Sequence, residues 1–161
     1  MATRCVFTPL SAEFPTSNFP QLLLVNRRPV LAFDASTDET AYWTAVVPQG
    51  FTGTPSVTVS FIMASATSGN VVFQAAIEAV TSGDALDLDT ATSFDTANSS
   101  GAVSVPTTAG YMKQFSITLM TNDSMAAADY FRLSLNRDAD NANDTAAGDC
   151  YVLAVELRDG A

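Results

Sequence analysis

Nearly all the side chains of this sequence that could do chemistry are carboxylates. The sequence has no histidine, and Lys113 is its single lysine. Without an imidazole there is no Ser-His-Asp triad, no Cys-His nucleophile and no histidine-ligated zinc. Lys113 follows Ala109-Gly110-Tyr111-Met112, which lacks the glycines of a phosphate-binding loop. We therefore expect a protein that is not an enzyme and that has no cofactor.

The first acidic run lies between residues 138 and 149. Asp138, Asp140, Asp144 and Asp149 occupy positions 1, 3, 7 and 12 of a twelve-residue loop, and hard oxygen ligands at such offsets suit calcium. Ala142 stands where another ligand is needed, and other positions also depart from the calcium pattern. We expect a solvated hairpin loop of good turn formers, without a bound metal.

The second acidic run extends from Gly83 to Asp89 and continues through Asp95. A glycosidase needs two carboxylates that face each other across a cleft, and Asp87 and Asp89 could supply them. Scattered surface aspartates are far commoner than catalytic pairs. The simpler interpretation is a solvent-facing connection that turns Leu86 and Leu88 inward.

Four aromatic residues could bind a carbohydrate, because a sugar ring stacks on exposed aromatic rings. They are Tyr42, Trp43, Tyr111 and Tyr130. Trp43 lies between Tyr42 and Thr44 in the middle of a predicted strand, so a core position is favoured for it.

The two cysteines, Cys5 and Cys150, lie at opposite ends of the sequence and have no metal-binding spacing. The sequence leaves open whether they form a disulfide. Buried or inert thiols are the expectation.

The elements that position these residues are predicted to be short strands. Apolar residues alternate with polar ones in runs that Gly, Asn, Asp, Ser and Pro separate. Val57, Val59, Phe61 and Met63, for example, would lie on one face of a half-buried strand. The predicted strands cover residues 29–35, 41–48, 55–65, 70–81, 101–106, 111–121, 129–137 and 149–158.

About eight strands without a helix of normal length predict an all-β protein, an antiparallel β-sandwich of the jelly-roll kind. The sequence has 161 residues, of which 47% are apolar, so one domain with a real core is expected. We assign residues 31–161 to this sandwich.

The first 30 residues differ from the rest and are predicted to form an extended N-terminal arm. Residues 1–33 hold four of the seven prolines and a net charge of +2, whereas the whole chain has −10. Prolines at this spacing forbid a long helix. The arm could lie on its own domain as an irregular edge strand, or it could reach a neighbouring subunit.

Charge and hydropathy limit the partners. A net charge of −10 opposes binding to nucleic acid or to an anionic membrane surface. The amino terminus lacks a signal-peptide pattern, and Leu22-Leu23-Leu24-Val25 is too short to span a bilayer. We therefore expect a soluble protein with neither partner.

Four stretches resemble a β-sandwich module of tailed-bacteriophage virion proteins. They are Phe33 to Trp43, Thr81 to Asp84, Phe94 to Asn98, and Arg137 to Asp140 continuing through Ala154-Val155-Glu156. The similarity extends over residues 30 to 158. It implies a jelly roll with a structural role in the virion, as a capsid cement or decoration protein or as a tail or fibre module.

The resemblance implies a cement protein on the capsid surface, a homotrimer that bridges major capsid protein subunits. The acidic sandwich and the basic, apolar arm fit that role, since the arm could add strands or anchors to a neighbour. The arm residues expected to bind the partner are Arg4, Phe7, Phe14, Phe19, Arg27 and Arg28. The alternative is a tail or fibre component, or a carbohydrate-binding β-sandwich module.

Overall fold

The computed structural model describes residues 1–160, in which strands and one short 3-10 helix, Pro9–Ser11, are the regular elements. No helix in this range is long and apolar enough to cross a membrane. The strands are β1 (Thr3–Phe7), β2 (Gln21–Val25), β3 (Arg28–Phe33), β4 (Glu39–Val46), β5 (Ser56–Met63), β6 (Asn70–Val71), β7 (Phe73–Val80), β8 (Asn98–Ser99), β9 (Val103–Ser104), β10 (Lys113–Thr118), β11 (Tyr130–Arg137) and β12 (Cys150–Arg158).

The strands form an antiparallel sandwich, as the sequence predicts. One sheet has the order β10-β5-β12-β3-β2, and β1 also pairs with β12. The facing sheet has the order β4-β11-β7-β8. Successive strands from β3 to β5 and from β10 to β12 alternate between the two sheets, which is the connectivity of a jelly roll. The predicted fold class is confirmed.

Period-two patterning explains why these segments are strands with one buried face. In β5, Val57, Val59 and Phe61 are completely buried. Their side chains belong to the core between the two sheets. In this core the ring of Phe73, from β7, lies 5.3 Å between centroids from that of Phe115, which comes from β10 in the other sheet. Polar residues such as Ser60 occupy the intervening positions, so one face of the strand is dry.

The run predicted as one strand over residues 70–81 is broken at Val72. The Val72 backbone N–H donates to the Asp144 carboxylate, and its carbonyl accepts from the Asp138 N–H. Because the 138–149 loop takes both backbone groups, β6 and β7 are separate strands.

The first 30 residues lie on their own sandwich and contribute strands to it. β1 pairs with the second half of β12, and β2 forms a hairpin with β3. Between them, Glu13 and Tyr42 exchange backbone hydrogen bonds, and the Thr40 N–H donates to the Asn18 carbonyl. This segment therefore covers the open edge of β4, as an irregular edge strand would.

A buried arginine fixes the loop between β11 and β12. Arg137 is completely buried and pairs with Asp144, at 2.8 Å between Nη2 and Oδ1. Its other N–H groups donate to Asp144 Oδ2 and to the carbonyls of Phe33, Gly148 and Ala146. All five guanidinium donors are satisfied, which is what allows a charge to lie in the core.

Candidate functional site

The segment from Phe14 to Arg27 presents exposed apolar side chains beside a free sheet edge. Phe14 and Phe19 are each about 40% exposed, and their ring centroids lie 5.5 Å apart. Leu24 is 73% exposed. β2 is the last strand of its sheet, so its outer N–H and C=O groups are free to pair. We call Phe14, Phe19, Leu22, Leu24 and Arg27 the N-terminal edge.

The turn between β2 and β3 holds Arg27 in a strained conformation. Asn26 has φ of +45° and Arg27 has φ of +67°, in the left-handed region that a two-residue hairpin turn requires. Glycine is the residue that usually occupies the second position, because a side chain is unfavourable there. The fold therefore displays an exposed guanidinium at the hairpin tip at some cost in backbone energy.

A groove of about 330 Å³ opens on the outer face of the six-stranded sheet. Its apolar walls come from the hairpin, from β5 and β12 and from the segment before β10, and its polar groups come from the hairpin. The apolar lining residues are Val25, Ile62, Met112 and Leu153, and the polar ones are Asn26 and Arg28. We call this cavity the outer groove.

Arg28 gives the outer groove its positive charge. The side chain is exposed, and its Nη1 donates to the Asn26 carbonyl at 3.3 Å. A guanidinium has five donors, so most of them remain available to a carboxylate. The arrangement suits an apolar group that is followed closely by a negative charge.

On the outer face of the other sheet, aromatic rings are covered by an arginine. The guanidinium carbon of Arg132 lies 4.9 Å from the ring centroid of Tyr42 and 5.6 Å from that of Phe94. Arg132 also pairs with Glu13, at 3.5 Å. The cluster is a stacked cation–π contact that fixes the 81–97 connection to the sheet.

The four aromatic residues considered for sugar stacking do not form one platform. Trp43 is 1% exposed, and its indole N–H donates to the Thr8 carbonyl, which confirms the favoured core position. Tyr42 lies beneath Arg132, and Tyr130 is half-buried. Tyr111 is 68% exposed beside the outer groove.

The connection after β7 contains a compact acidic turn. The Asp87 carboxylate accepts hydrogen bonds from the Asp89 N–H at 3.1 Å and from the Thr90 hydroxyl at 2.9 Å. Leu88 is 53% exposed, so the expectation that it turns inward is wrong. We call residues 84–90 the acidic loop. Its Asp87 stabilises a turn rather than facing a second carboxylate across a cleft.

The 138–149 run does not form a single calcium-binding loop. Asp144 is engaged by Arg137, whereas Asp138 and Asp140 approach Asp38, a residue outside the run. The carboxylates of these last three residues lie within 4.8 Å of one another. Like-charged neighbours, with Asp38 first, raise the pKa of Asp140.

Cys5 and Cys150 are both free thiols. They lie near opposite ends of β12, because Cys5 pairs with Leu157 while Cys150 begins the strand. Burial raises the pKa of each thiol, and Cys150 is completely buried. The two cysteines therefore lie apart and do not form a disulfide.

Two of the six expected partner-binding residues make contacts inside this chain, and burial leaves Phe7 unable to anchor a partner. Phe7 is 6% exposed and packs against Trp43 and Phe131. Arg4 pairs with Asp159, whose pKa is lowered by the Ala2 N–H and then by Arg4. β1 alternates, so Phe7 faces the core while its neighbour Val6 is 61% exposed. Phe14, Phe19, Arg27 and Arg28 are exposed, as expected.

Sequence reasoning missed most of the outer groove. Ile62 and Leu153 come from strands that are not neighbours in the sequence, and Met112 lies in a connection. One signal was present, because Ile62 is apolar at an outward position of β5, where Ser60 and Thr58 are polar.

No protein-family model and no curated protein sequence matches this chain. Among solved structures, the chain is similar to the carbohydrate-binding module TmCBM61, which was solved in complex with β-1,4-galactotriose. The sequence identity is 11% and the TM-score 0.41, and the alignment covers 92% of this chain and 87% of that one. A likeness of this size carries no argument about ligands.

Proposed function

We propose that this chain is a structural protein of a tailed-bacteriophage virion, a cement or decoration protein on the outside of the capsid. It bridges major capsid protein subunits and has no catalytic activity. The jelly-roll connectivity and the stretches that resemble virion proteins support this proposal. So does the N-terminal edge, which offers apolar anchors and a free strand on an otherwise acidic molecule.

The observation that carries the proposal is the strained Arg27 at the tip of an exposed apolar hairpin. Strain of this kind persists at positions where function requires it, and it costs about 1–3 kcal/mol. Leu22 and Leu24 on the adjacent strand are 46% and 73% exposed. A two-residue hairpin turn favours glycine at the second position, and an edge strand that stays free commonly carries charged or polar side chains.

The mode of binding follows from the chemistry of the N-terminal edge. β2 adds a strand to a capsid subunit through its free backbone groups, while Phe14 and Phe19 fill apolar pockets. Arg27 pairs with a carboxylate of the lattice beneath. In the particle the protein is a homotrimer that stands where neighbouring capsid subunits meet.

Co-sedimentation tests this function. Purified heads of tailed bacteriophages that lack their own decoration protein are mixed with the full chain and pelleted, and bound protein is measured against concentration. We expect saturable binding that F14S/F19S and R27E each weaken by about tenfold or more. Substituting exposed side chains is preferable to removing residues 2–28, because removal would also take Phe7 from the core.

The matched control is M120S, which changes a side chain that is 75% exposed and lies outside the N-terminal edge. Its binding should equal that of the unchanged protein. Equal binding of F14S/F19S and R27E would overturn the assignment of the N-terminal edge. If the unchanged chain pellets with none of the phage heads tested, the cement function is overturned.

The second candidate is a tail or fibre component or a carbohydrate-binding module, which the exposed ring of Tyr111 favours. It predicts retention on immobilised glycans that Y111A abolishes. Trp43 is buried, so its fluorescence emission should stay blue-shifted and should not change when glycan is added, whether or not the protein binds the glycan.

A further inference from the structure

Two surfaces of this chain are complementary in apolar character and charge. The outer groove is lined by four apolar residues and by the cationic side chain of Arg28. The acidic loop presents an exposed leucine, Leu88, between two aspartates. We propose that the outer groove of one copy receives Leu88 of a second copy, with Arg28 pairing with Asp89.

The chemistry of the groove selects this occupant. The volume of about 330 Å³ equals the space of roughly ten waters and is ample for one branched aliphatic side chain. A groove with apolar walls favours such a side chain because the water within it is released. Arg28 then requires a carboxylate adjacent to the apolar group, and the acidic loop has one on each side of Leu88.

The acidic loop is already ordered in the free chain. The Asp87 carboxylate closes the turn through the Asp89 N–H and the Thr90 hydroxyl, and the Thr90 and Ala91 N–H groups donate to the Asp87 carbonyl. Asp84 accepts from the Thr81 N–H at the base of the loop. Little conformational entropy is therefore lost when Leu88 enters a groove.

The two surfaces cannot meet within one molecule. The outer groove opens on the outer face of the six-stranded sheet, whereas the acidic loop leaves the end of β7 in the facing sheet. The contact is therefore between copies and joins two different surfaces. A head-to-tail contact of this kind gives a ring when its rotation closes and an open chain when it does not.

One loop in one groove buries a small area, so each contact is weak and the association depends on concentration. Arg28 and Asp89 are both exposed, so added salt should weaken the contact. The inference does not depend on the proposed capsid function. Its test uses the purified chain alone, so the two can fail separately.

The experiment measures mass in solution by light scattering, from micromolar to near-millimolar concentration. The unchanged chain should exceed the 16.9 kDa of one copy as concentration rises. R28E and D89R each place like charges in the contact and should weaken association by about tenfold or more. Asp87 is left unchanged, because its carboxylate holds the turn.

Mixing the two charge-reversed variants is the decisive step. In a mixture, a contact between unlike variants is either the original Arg28–Asp89 pair or the same pair with its charges exchanged, so unlike copies should associate, whereas contacts between copies of one variant stay weak. L88S should weaken association, whereas M120S, an exposed apolar control elsewhere, should not. Circular dichroism and the denaturation midpoint show whether each variant is folded.

Three results would overturn the inference. One is an unchanged chain that stays at the mass of a single copy throughout the range. Another is association that R28E, D89R and L88S leave intact. The third is a mixture of the folded variants R28E and D89R that remains dissociated.

Discussion

At the scale of single residues, neighbours in the sequence have opposite environments because strands alternate. Val6 is 61% exposed and Phe7 is 6% exposed, although they are adjacent in β1. Phe7 contacts the rings of Trp43 and Phe131 in the four-stranded sheet, while its own strand pairs with β12 in the other sheet, so β1 is joined to both. A residue that the sequence favours as a partner anchor therefore stabilises the fold.

The contrast between these two residues gives a direct test. F7A should lower the free energy of unfolding by about 3–5 kcal/mol, because it leaves a cavity among aromatic rings. V6A, its exposed neighbour, should change it by less than about 0.5 kcal/mol. Guanidinium denaturation of both variants measures this, and equal midpoints would contradict the position of β1.

Arg137 provides a second test at the residue scale. R137M leaves Asp144 buried without its partner and should cost about 3–5 kcal/mol. R158M removes the arginine of a half-buried surface pair with Glu156 and should cost about 0–1 kcal/mol. Urea unfolding compares them, and R137M/D144N should cost less than the sum of its two single changes, because the two residues share one network.

At the scale of elements, the β2–β3 hairpin combines poor local preferences with a definite position. Its turn residues are Asn26-Arg27, whereas Asn-Gly is the pair that a two-residue hairpin favours. β2 contains four consecutive apolar residues and lacks alternation. Pairing with β3 fixes this strand, and its exposed side chains remain for a partner.

R27G distinguishes the effect of Arg27 on the stability of the hairpin from its effect on binding to phage heads. Glycine adopts positive φ freely, so R27G should raise the free energy of unfolding by up to about 1 kcal/mol. The same change removes the guanidinium and should weaken binding to phage heads. R28G is the control at a strand position, where glycine should destabilise. A hairpin that R27G destabilises would contradict the strain argument.

At the scale of the whole molecule, two carboxylates should give the stability opposite dependences on pH. The Ala2 N–H and Arg4 lower the pKa of Asp159, whereas burial raises the pKa of Glu39. The contribution of Asp159 is therefore complete above its unfolded value near 4 and is lost as pH falls through the lower folded value. For Glu39, stability falls as pH rises from the unfolded to the folded value.

Two isosteric variants isolate these contributions. D159N should be less stable than the unchanged protein at neutral pH, and the difference should shrink as the solution is acidified below about pH 4. E39Q should gain stability relative to the unchanged protein as pH rises above about 4.5. Chemical denaturation at several pH values checks both, and parallel pH curves would contradict the assigned pKa directions.

The sandwich could be predicted from the sequence because its main strands carry their own alternation. Phe131, Leu133 and Leu135 define a face of β11 without further information, and the same parity places Arg137 in the core. β1 could not be found in this way, since its partner Arg158 lies at the far end of the sequence. The outer groove was equally hidden, because sequence periodicity does not bring separate strands together.

The pairing of the first strand with the last has a mechanical consequence. Thr3 lies opposite Arg158, and the Asp159 N–H donates to the Ala2 carbonyl, so the two ends of the described chain leave the sheet side by side. The hydrogen bonds of an antiparallel pair run perpendicular to the strands. A force that separates residues 2 and 159 therefore breaks these bonds one after another, starting from the pair of Thr3 and Arg158. Tension applied through the two ends would peel β1 away first, while the sheet pairs between β5 and β12 still hold.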